Sequence, residues 1–334
     1  MIGVVLISLV LSTGALSQTK EFTLKIDVPV VSVDVSVVDK LGRPVDGLLP
    51  EDFEIHENGV RQNILYFGSS NAPYNVYLLF DSSGSTEHKW HFMQRAIEGF
   101  IEHIKAQDRI SIGLFDEVLT TLAGWDEPKK QSINTLRPFI ENKQSGGTTE
   151  FYNALEHVLT KSLRGIVERR AVVVLTDGRD TSLYRDTIKN NRVKPAEKDR
   201  NFLKLLKTAQ KRGIPIYVIA TNTDRNLESN PSGADEYRNL QVLYGNSDLP
   251  EQYLTQVRMR IENLADVSGG QTLFPDGLDD VVPLFEQIGK DLGSAYSLGY
   301  VPSGLKSKGL RTIVVRVENK TYRVQQSRSG YYSN

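Results

Sequence analysis

Asn75-Val76-Tyr77-Leu78-Leu79-Phe80-Asp81-Ser82-Ser83-Gly84-Ser85 opens as a mostly apolar run and stops at a carboxylate followed by small, hydroxylic, flexible residues. An apolar run of this length without polar alternation predicts a strand buried on both faces. Downstream, Trp90, Met93, Ile97, Phe100, Ile101 and Ile104 recur at helical spacing, so the unit is strand, loop, helix. The loop presents Asp81, Ser83 and Ser85 at alternate positions. In open α/β sheets ligands bind past the carboxyl ends of the strands, which is where this loop lies. Carboxylate and hydroxyl oxygens without thiol or imidazole suit a hard cation such as Mg²⁺, Mn²⁺ or Ca²⁺. Three oxygens from one loop do not complete such an ion's shell, so further ligands must come from elsewhere. Taken alone, the loop reads equally well as a serine-rich turn that caps the helix through Ser85 or Thr86.

Two further stretches bear on that choice. Gly146-Gly147-Thr148-Thr149-Glu150 precedes a helical pattern of Phe151, Leu155, Val158 and Leu159. Ala171-Val172-Val173-Val174-Leu175-Thr176-Asp177-Gly178 is a second buried strand that ends in an acid. The order D-x-S-x-S, then G-G-T, then a strand ending T-D-G, resembles the von Willebrand factor type A family over residues 72–291. In that family these positions form a metal-ion-dependent adhesion site. The resemblance implies a metal site of Asp81, Ser83, Ser85, Thr148 and Asp177, with all five residue types matching. It also implies the mechanism. The hydroxyls of Ser83, Ser85 and Thr148 hold the ion, and Asp81 and Asp177 bind it directly or through water. Two carboxylates balance a divalent charge without exceeding it, so an open coordination position attracts an Asp or Glu of a partner protein.

Strands and helices alternate from residue 72 onward, which predicts a parallel sheet with right-handed crossovers. Strands are expected at 109–115, 171–176, 214–221 and 271–274, with 118–123 as an antiparallel edge and a helix at 279–292. The expected fold class is α/β: a doubly wound, mostly parallel central sheet with helices on both faces, Rossmann-like in the sense the resemblance implies. Residues 179–199 and 222–252 are charged and polar, and both follow strand ends, so they belong to the site's face as ligand-setting loops or as plain surface insertions.

The flanks differ in character. Val31, Val33, Val35 and Val37 alternate with polar residues, the period of a half-buried strand, and Asn58-Gly59 between 53–57 and 60–67 marks a hairpin. Among the acids here, Asp39, Asp46, Glu51, Asp52 and Glu57 allow a second calcium site or a solvated face. Residues 296–302, 311–318 and 322–326 return to strand patterns. The two flanks resemble those of a bacterial group of type A proteins described in acidobacteria. Small isolated sheets are marginally stable, so the economical arrangement packs the flanks on each other as one β-sandwich-like module. The expected division is a signal peptide at 1–17, an N-terminal β module at 18–70, the type A domain at 71–293 and a C-terminal β segment at 294–334.

Residues 1–17 form an apolar run ending in Ala15-Leu16-Ser17, a small-x-small cleavage pattern ahead of Gln18, although no Lys or Arg precedes it. The run is shorter than the roughly 20 apolar residues of a membrane span. The expectation is an exported protein, periplasmic, cell-surface or secreted, with no transmembrane segment after cleavage. The absence of Cys rules out disulfides, thiolate metal sites, a cysteine nucleophile and a lipoprotein anchor.

In 334 residues, Lys+Arg 40 against Asp+Glu 41 gives a net charge of −1, so no basic excess points to nucleic acid or an anionic membrane surface. Val172 to Asp177 could pass for a nucleotide-hydrolysing strand, but no G-x-x-x-x-G-K-[ST] accompanies it. A serine nucleophile at Ser83 or Ser85 needs an oriented histidine, and His56, His88, His91, His103 and His157 show no triad spacing. The function expected is therefore binding, not catalysis: divalent-metal-dependent capture of a partner's carboxylate. The alternative is a structural or assembly subunit of a cell-envelope complex in which the metal only stabilises the loops; a hydrolase, for which His88 lies near the loop in sequence, ranks third.

Overall fold

The computed structural model describes residues 30–41, 43–82, 90–129, 148–166, 169–221, 240, 242–244, 247–303 and 309–333. Two bodies of secondary structure share the chain, an α/β domain and a β-sandwich made from both flanks.

The α/β domain is built on a six-stranded sheet. Its strands are β5 (Tyr74–Asp81), β6 (Arg109–Phe115), β7 (Leu119–Ala123), β8 (Arg169–Thr176), β9 (Ile216–Ala220) and β10 (Thr272–Leu273), in the spatial order β10-β9-β8-β5-β6-β7. All neighbours are parallel except β7, which pairs antiparallel with β6 at the edge. β5 lies between β8 and β6, and every one of its residues is buried, as its unbroken apolar run requires. Side chains alternate across it. Val76, Leu78 and Phe80 face one side, where α1 (Trp90–His103) and α6 (Val281–Ser294) lie, with Phe80 stacked on Phe285 at 5.7 Å. Tyr77 and Leu79 face the other, covered by α2 (Phe151–His157), α4 (Arg200–Arg212) and α5 (Leu249–Ser268).

The structure revises the sequence reading at two places: the strand expected at 60–67 divides into Val60–Gln62 and Ile64–Gly68, which join different sheets, and a helix stands where a loop was expected. The polar stretch after Asp177 contains a helix, α3 (Thr181–Asn190). Asp180 caps it by accepting the backbone N–H of Ser182, and Leu183 and Thr187 are buried beneath it. Leu183 joins Tyr253, Leu254 and Val257 of α5 in a small satellite core with Leu240, so this helix is packed in place.

The β-sandwich has two four-stranded sheets, and each contains strands from both ends of the chain. One has the order β13-β1-β11-β4, from β13 (Arg323–Gln326), β1 (Val31–Val38), β11 (Tyr296–Tyr300) and β4 (Ile64–Gly68). The other has the order β14-β12-β2-β3, from β14 (Gly330–Ser333), β12 (Gly309–Val317), β2 (Phe53–Glu57) and β3 (Val60–Gln62). Val33 pairs with Leu298 and Ile55 with Val315, residues far apart in sequence. The core between the sheets is Val33, Val35, Phe53, Ile55, Leu298, Tyr300, Ile313 and Val315. Asn58 (φ 48°) and Gly59 (φ 80°) adopt the left-handed backbone that a two-residue hairpin needs, and they join β2 to β3.

The acids considered for a second calcium site are dispersed. Asp39 pairs with Arg43, Asp46 accepts from Ser70, and Asp52 accepts from the backbone of Leu49. Glu57 is buried and accepts from Tyr300 (2.7 Å), Tyr331 (2.9 Å) and Arg311.

The two bodies meet at the amino-terminal end of the central sheet. Arg169, the first residue of β8, is 3% exposed there. It donates to the carbonyls of Ser69, Ser70 and Ala72 in the chain entering the α/β domain, and to those of Leu292 and Ala295 in the chain leaving it. It also donates to Ser297 Oγ at 3.1 Å and lies over the Tyr74 ring at 4.1 Å. Asp34 of β1 accepts from Ser297 (2.6 Å), Tyr74 (2.9 Å) and Tyr217 (3.4 Å), binding the sandwich to two strands of the sheet. Among the described residues no helix is long and apolar enough to cross a membrane.

Candidate functional site

The site face lies at the carboxyl ends of β5 and β8. These strands are in parallel register, Phe80 beside Leu175, so Asp81 and the Thr176-Asp177 pair emerge from adjacent strand ends. Asp81 is 0% and Asp177 2% exposed. Two carboxylates sealed from water at neighbouring strand ends are costly unless hydrogen bonds and cations compensate them. Thr176 supplies one bond, its hydroxyl donating to Asp81 Oδ2 at 2.8 Å while accepting from the Gly178 N–H at 3.0 Å. Asp177 Oδ1 accepts from the Arg179 N–H at 3.1 Å, and the Arg179 guanidinium stands 3.8 Å from Oδ2.

Gly178 is required where it stands. Its φ of +72° lies in the left-handed region, and a Cβ there would come within 2.8 Å of Ile261 Cγ2. The turn after Asp177 is thereby pressed against α5.

Thr148 comes from a different part of the chain. Its loop is fastened to the Asp177 loop by reciprocal bonds: Thr149 N to Thr181 Oγ1 at 2.7 Å and Thr181 N to Thr149 O at 2.9 Å. Tyr152 N donates to Asp180 Oδ2 at 3.0 Å, and Glu150 N donates to Asp116 O at 2.8 Å. Thr148 itself is half-buried and donates through N (3.2 Å) and Oγ1 (3.4 Å) to Glu117 Oε1. On the far side, Ser82 N and Oγ both donate to Phe115 O, at 2.8 and 3.0 Å. The rim of the site is thus one hydrogen-bonded belt across β5, β6, β8 and their loops.

Of the five expected metal-site residues, Asp81, Thr148 and Asp177 are placed on this face, whereas Ser83 and Ser85 lie outside the described residues. His88 lies outside them as well. Among the described residues no three His, Cys, Asp or Glu side chains cluster as a metal cage. A donor set of two carboxylates and hydroxyls is of another kind, and its oxygens fit a hard divalent cation. Four residues that the motif reading passed over turn out to shape the site: Thr176, Arg179, Asp180 and Thr181. The signal for the last two was present in Asp180-Thr181-Ser182, a helix-start signature directly after the strand. Burial pushes the Asp180 carboxyl above its ordinary value, and its bonds to Ser182 and to the Tyr152 N–H oppose that rise.

The von Willebrand factor type A domain family matches residues 75–266, more than half of the chain and the segment that carries this site. The chain belongs to that family. No curated protein matches it. Among solved structures, the type A chain is similar to proximal thread matrix protein 1 from the mussel byssus, at 15% identity and a TM-score of 0.41 over 66% of this chain and 48% of that one. It thus spans about half the length of the mussel protein. It is also similar to an aerotolerance-related membrane protein from Bacteroides fragilis, at 14% identity and a TM-score of 0.40 over 64% and 97% of the two chains. A von Willebrand factor type A protein from Catenulispora acidiphila matches at 9% identity and a TM-score of 0.46 over 92% and 74%.

Proposed function

We propose that this type A protein is exported and binds a partner protein through a divalent cation, Mg²⁺, Mn²⁺ or Ca²⁺, held in a metal-ion-dependent adhesion site. The observation that carries the reading is the pairing of two buried carboxylates, Asp81 and Asp177, at adjacent strand ends, with the Thr148 loop hydrogen-bonded to the Asp177 loop. Asp81, Ser83, Ser85, Thr148 and Asp177 would hold the ion. When bound, the ion supplies an electrophilic centre for a carboxylate oxygen. The chain's own part is positioning. Thr176 fixes Asp81, the Gly178 turn fixes Asp177, and the bonds between Thr149 and Thr181 set the reach of Thr148. The ligand in this reading is an Asp or Glu of a partner, and the role is recognition.

Calorimetry with Mg²⁺ and Mn²⁺ tests the site. Wild type binds one ion, and Asp177→Ala loses binding while keeping its far-ultraviolet circular dichroism. Identical binding by both would falsify the assignment. Pulldown with and without chelator separates partner capture from the alternative, a structural subunit of an envelope complex whose partners stay bound when metal is removed. Export predicts a mature chain beginning at Gln18 in the mass spectrum of the native protein.

A further inference from the structure

Thr148 and Asp177 reach the site on loops far apart in sequence, and one buried side chain ties the two loops together. The Asp180 carboxylate is 2% exposed and both of its oxygens are used. Oδ1 accepts the backbone N–H of Ser182 at 3.0 Å and the Ser182 hydroxyl, which caps α3. Oδ2 accepts the backbone N–H of Tyr152 at 3.0 Å, in the first turn of α2 and 28 residues away. Glu150 stands at the cap position of α2, yet its side chain makes no capping bond and accepts instead from the Asn153 side chain at 2.8 Å. Asp180 therefore caps two helices, and each helix follows one loop of the site.

Packing fixes both helix starts. In α2, Phe151 lies against Phe115 at 5.7 Å between ring centroids, and Tyr152 against Phe202 at 5.5 Å. In α3, Leu183 joins the residues of α5. Thr148 precedes Tyr152 by four residues and Asp177 precedes Asp180 by three, so a shift of either helix start carries a site residue with it. A hydrogen bond to a charged acceptor is stronger than a neutral one, which suits a carboxylate to this bridge.

We propose that Asp180 is a positioning residue of the metal site: its bridge between α2 and α3 sets the separation of Thr148 from Asp177, and with it the ion the site prefers. The proposal rests on the metal-binding reading given above. Mg²⁺ demands a near-octahedral shell of oxygens at about 2.0–2.1 Å, whereas Ca²⁺ accepts a looser one at about 2.3–2.6 Å. Loosening the bridge therefore penalises Mg²⁺ more than Ca²⁺.

The test compares the full wild-type chain with Asp180→Ser. Serine is a good helix cap, so α3 keeps its start, but a single hydroxyl does not serve both helices. In the metal-free proteins, amide hydrogen exchange at Thr149 and Tyr152 should quicken in Asp180→Ser while the amides of α3 stay protected. Mg²⁺ and Ca²⁺ are then titrated separately by calorimetry. Loss of a group that orients metal ligands typically costs about 10–100-fold in metal affinity. On that scale Asp180→Ser should bind Mg²⁺ about tenfold or more weakly and lose less for Ca²⁺, so the ratio of the two affinities falls.

A general loss of stability weakens both ions alike and leaves that ratio where it was. An unchanged ratio in a folded Asp180→Ser thus overturns the proposal and leaves the metal site standing, whether both affinities fall together or neither does. Asp180→Asn takes its place if the serine variant does not fold. Binding of neither ion by wild type overturns the metal reading, and the proposal falls with it.

Discussion

Arg169→Met is the substitution most informative about how the molecule holds together. The side chain is nearly fully buried and donates to six oxygens: Ser297 Oγ and the carbonyls of Ser69, Ser70, Ala72, Leu292 and Ala295. Methionine fills much of the volume but donates nothing, so those carbonyls and the nearby Asp34 lose their cation. Breaking a buried charge arrangement by removing one partner costs about 3–5 kcal/mol. Each abandoned acceptor alone would cost about 1–3 kcal/mol. The costs are not additive, because the linker carbonyls can relax toward water, so about 3–5 kcal/mol is the expected loss. Urea unfolding followed by circular dichroism reads it as a midpoint lowered by roughly 1–2 M. Hydrogen exchange should localise the loosening to residues 69–73 and 292–297. β8 runs seven steps from Arg169 to Thr176, about 23 Å at roughly 3.3 Å per residue, so divalent-ion affinity should be unchanged. A loss under about 1 kcal/mol would show that the junction does not depend on this guanidinium.

Leu298→Ala empties a site in the sandwich core where the side chain is 0% exposed, and should cost about 2–5 kcal/mol. Exchange protection of Val31–Val38 should fall with it because Val33 pairs with Leu298; unchanged protection there would mean the two flanks are stabilised separately. Asp34 offers a pH test. Burial pushes its carboxyl above the ordinary 3.8, although Arg169 and the hydroxyls of Ser297, Tyr74 and Tyr217 pull it down. The folded state therefore holds the proton more tightly, and the stability this contributes is full below pH 3.8 and lost as pH rises through the folded value. The stability difference between wild type and Asp34→Asn should shift against wild type as pH rises above 3.8, and a flat difference contradicts the assignment.

How much of this was legible in the sequence follows from the range of each interaction. The parallel sheet was readable because Val76 to Phe80 and Val172 to Leu175 are apolar without alternation, which only a doubly covered strand tolerates. The sandwich strands were readable from the two-residue period of Val31, Val33, Val35 and Val37. The shared edge of Asp81 and Asp177 was readable because each ends an apolar run, and chain direction then puts both acids at the same end of the sheet. Those features are local, set by the residue and its near neighbours.

The remaining features depended on tertiary contact. Nothing near Val33 names Leu298 as its partner, since alternation sets which face is buried but not what covers it. The helix Thr181–Asn190 was hidden because its sequence is polar and only its contact with α5 gives Leu183 a core to join. Arg169 and Arg179 look alike in the sequence, two more charges in a chain whose charges nearly cancel. The fold turned one into a clamp between modules and set the other against Asp177 on the site's face, because burial strips away the water that makes a surface arginine interchangeable with its neighbours.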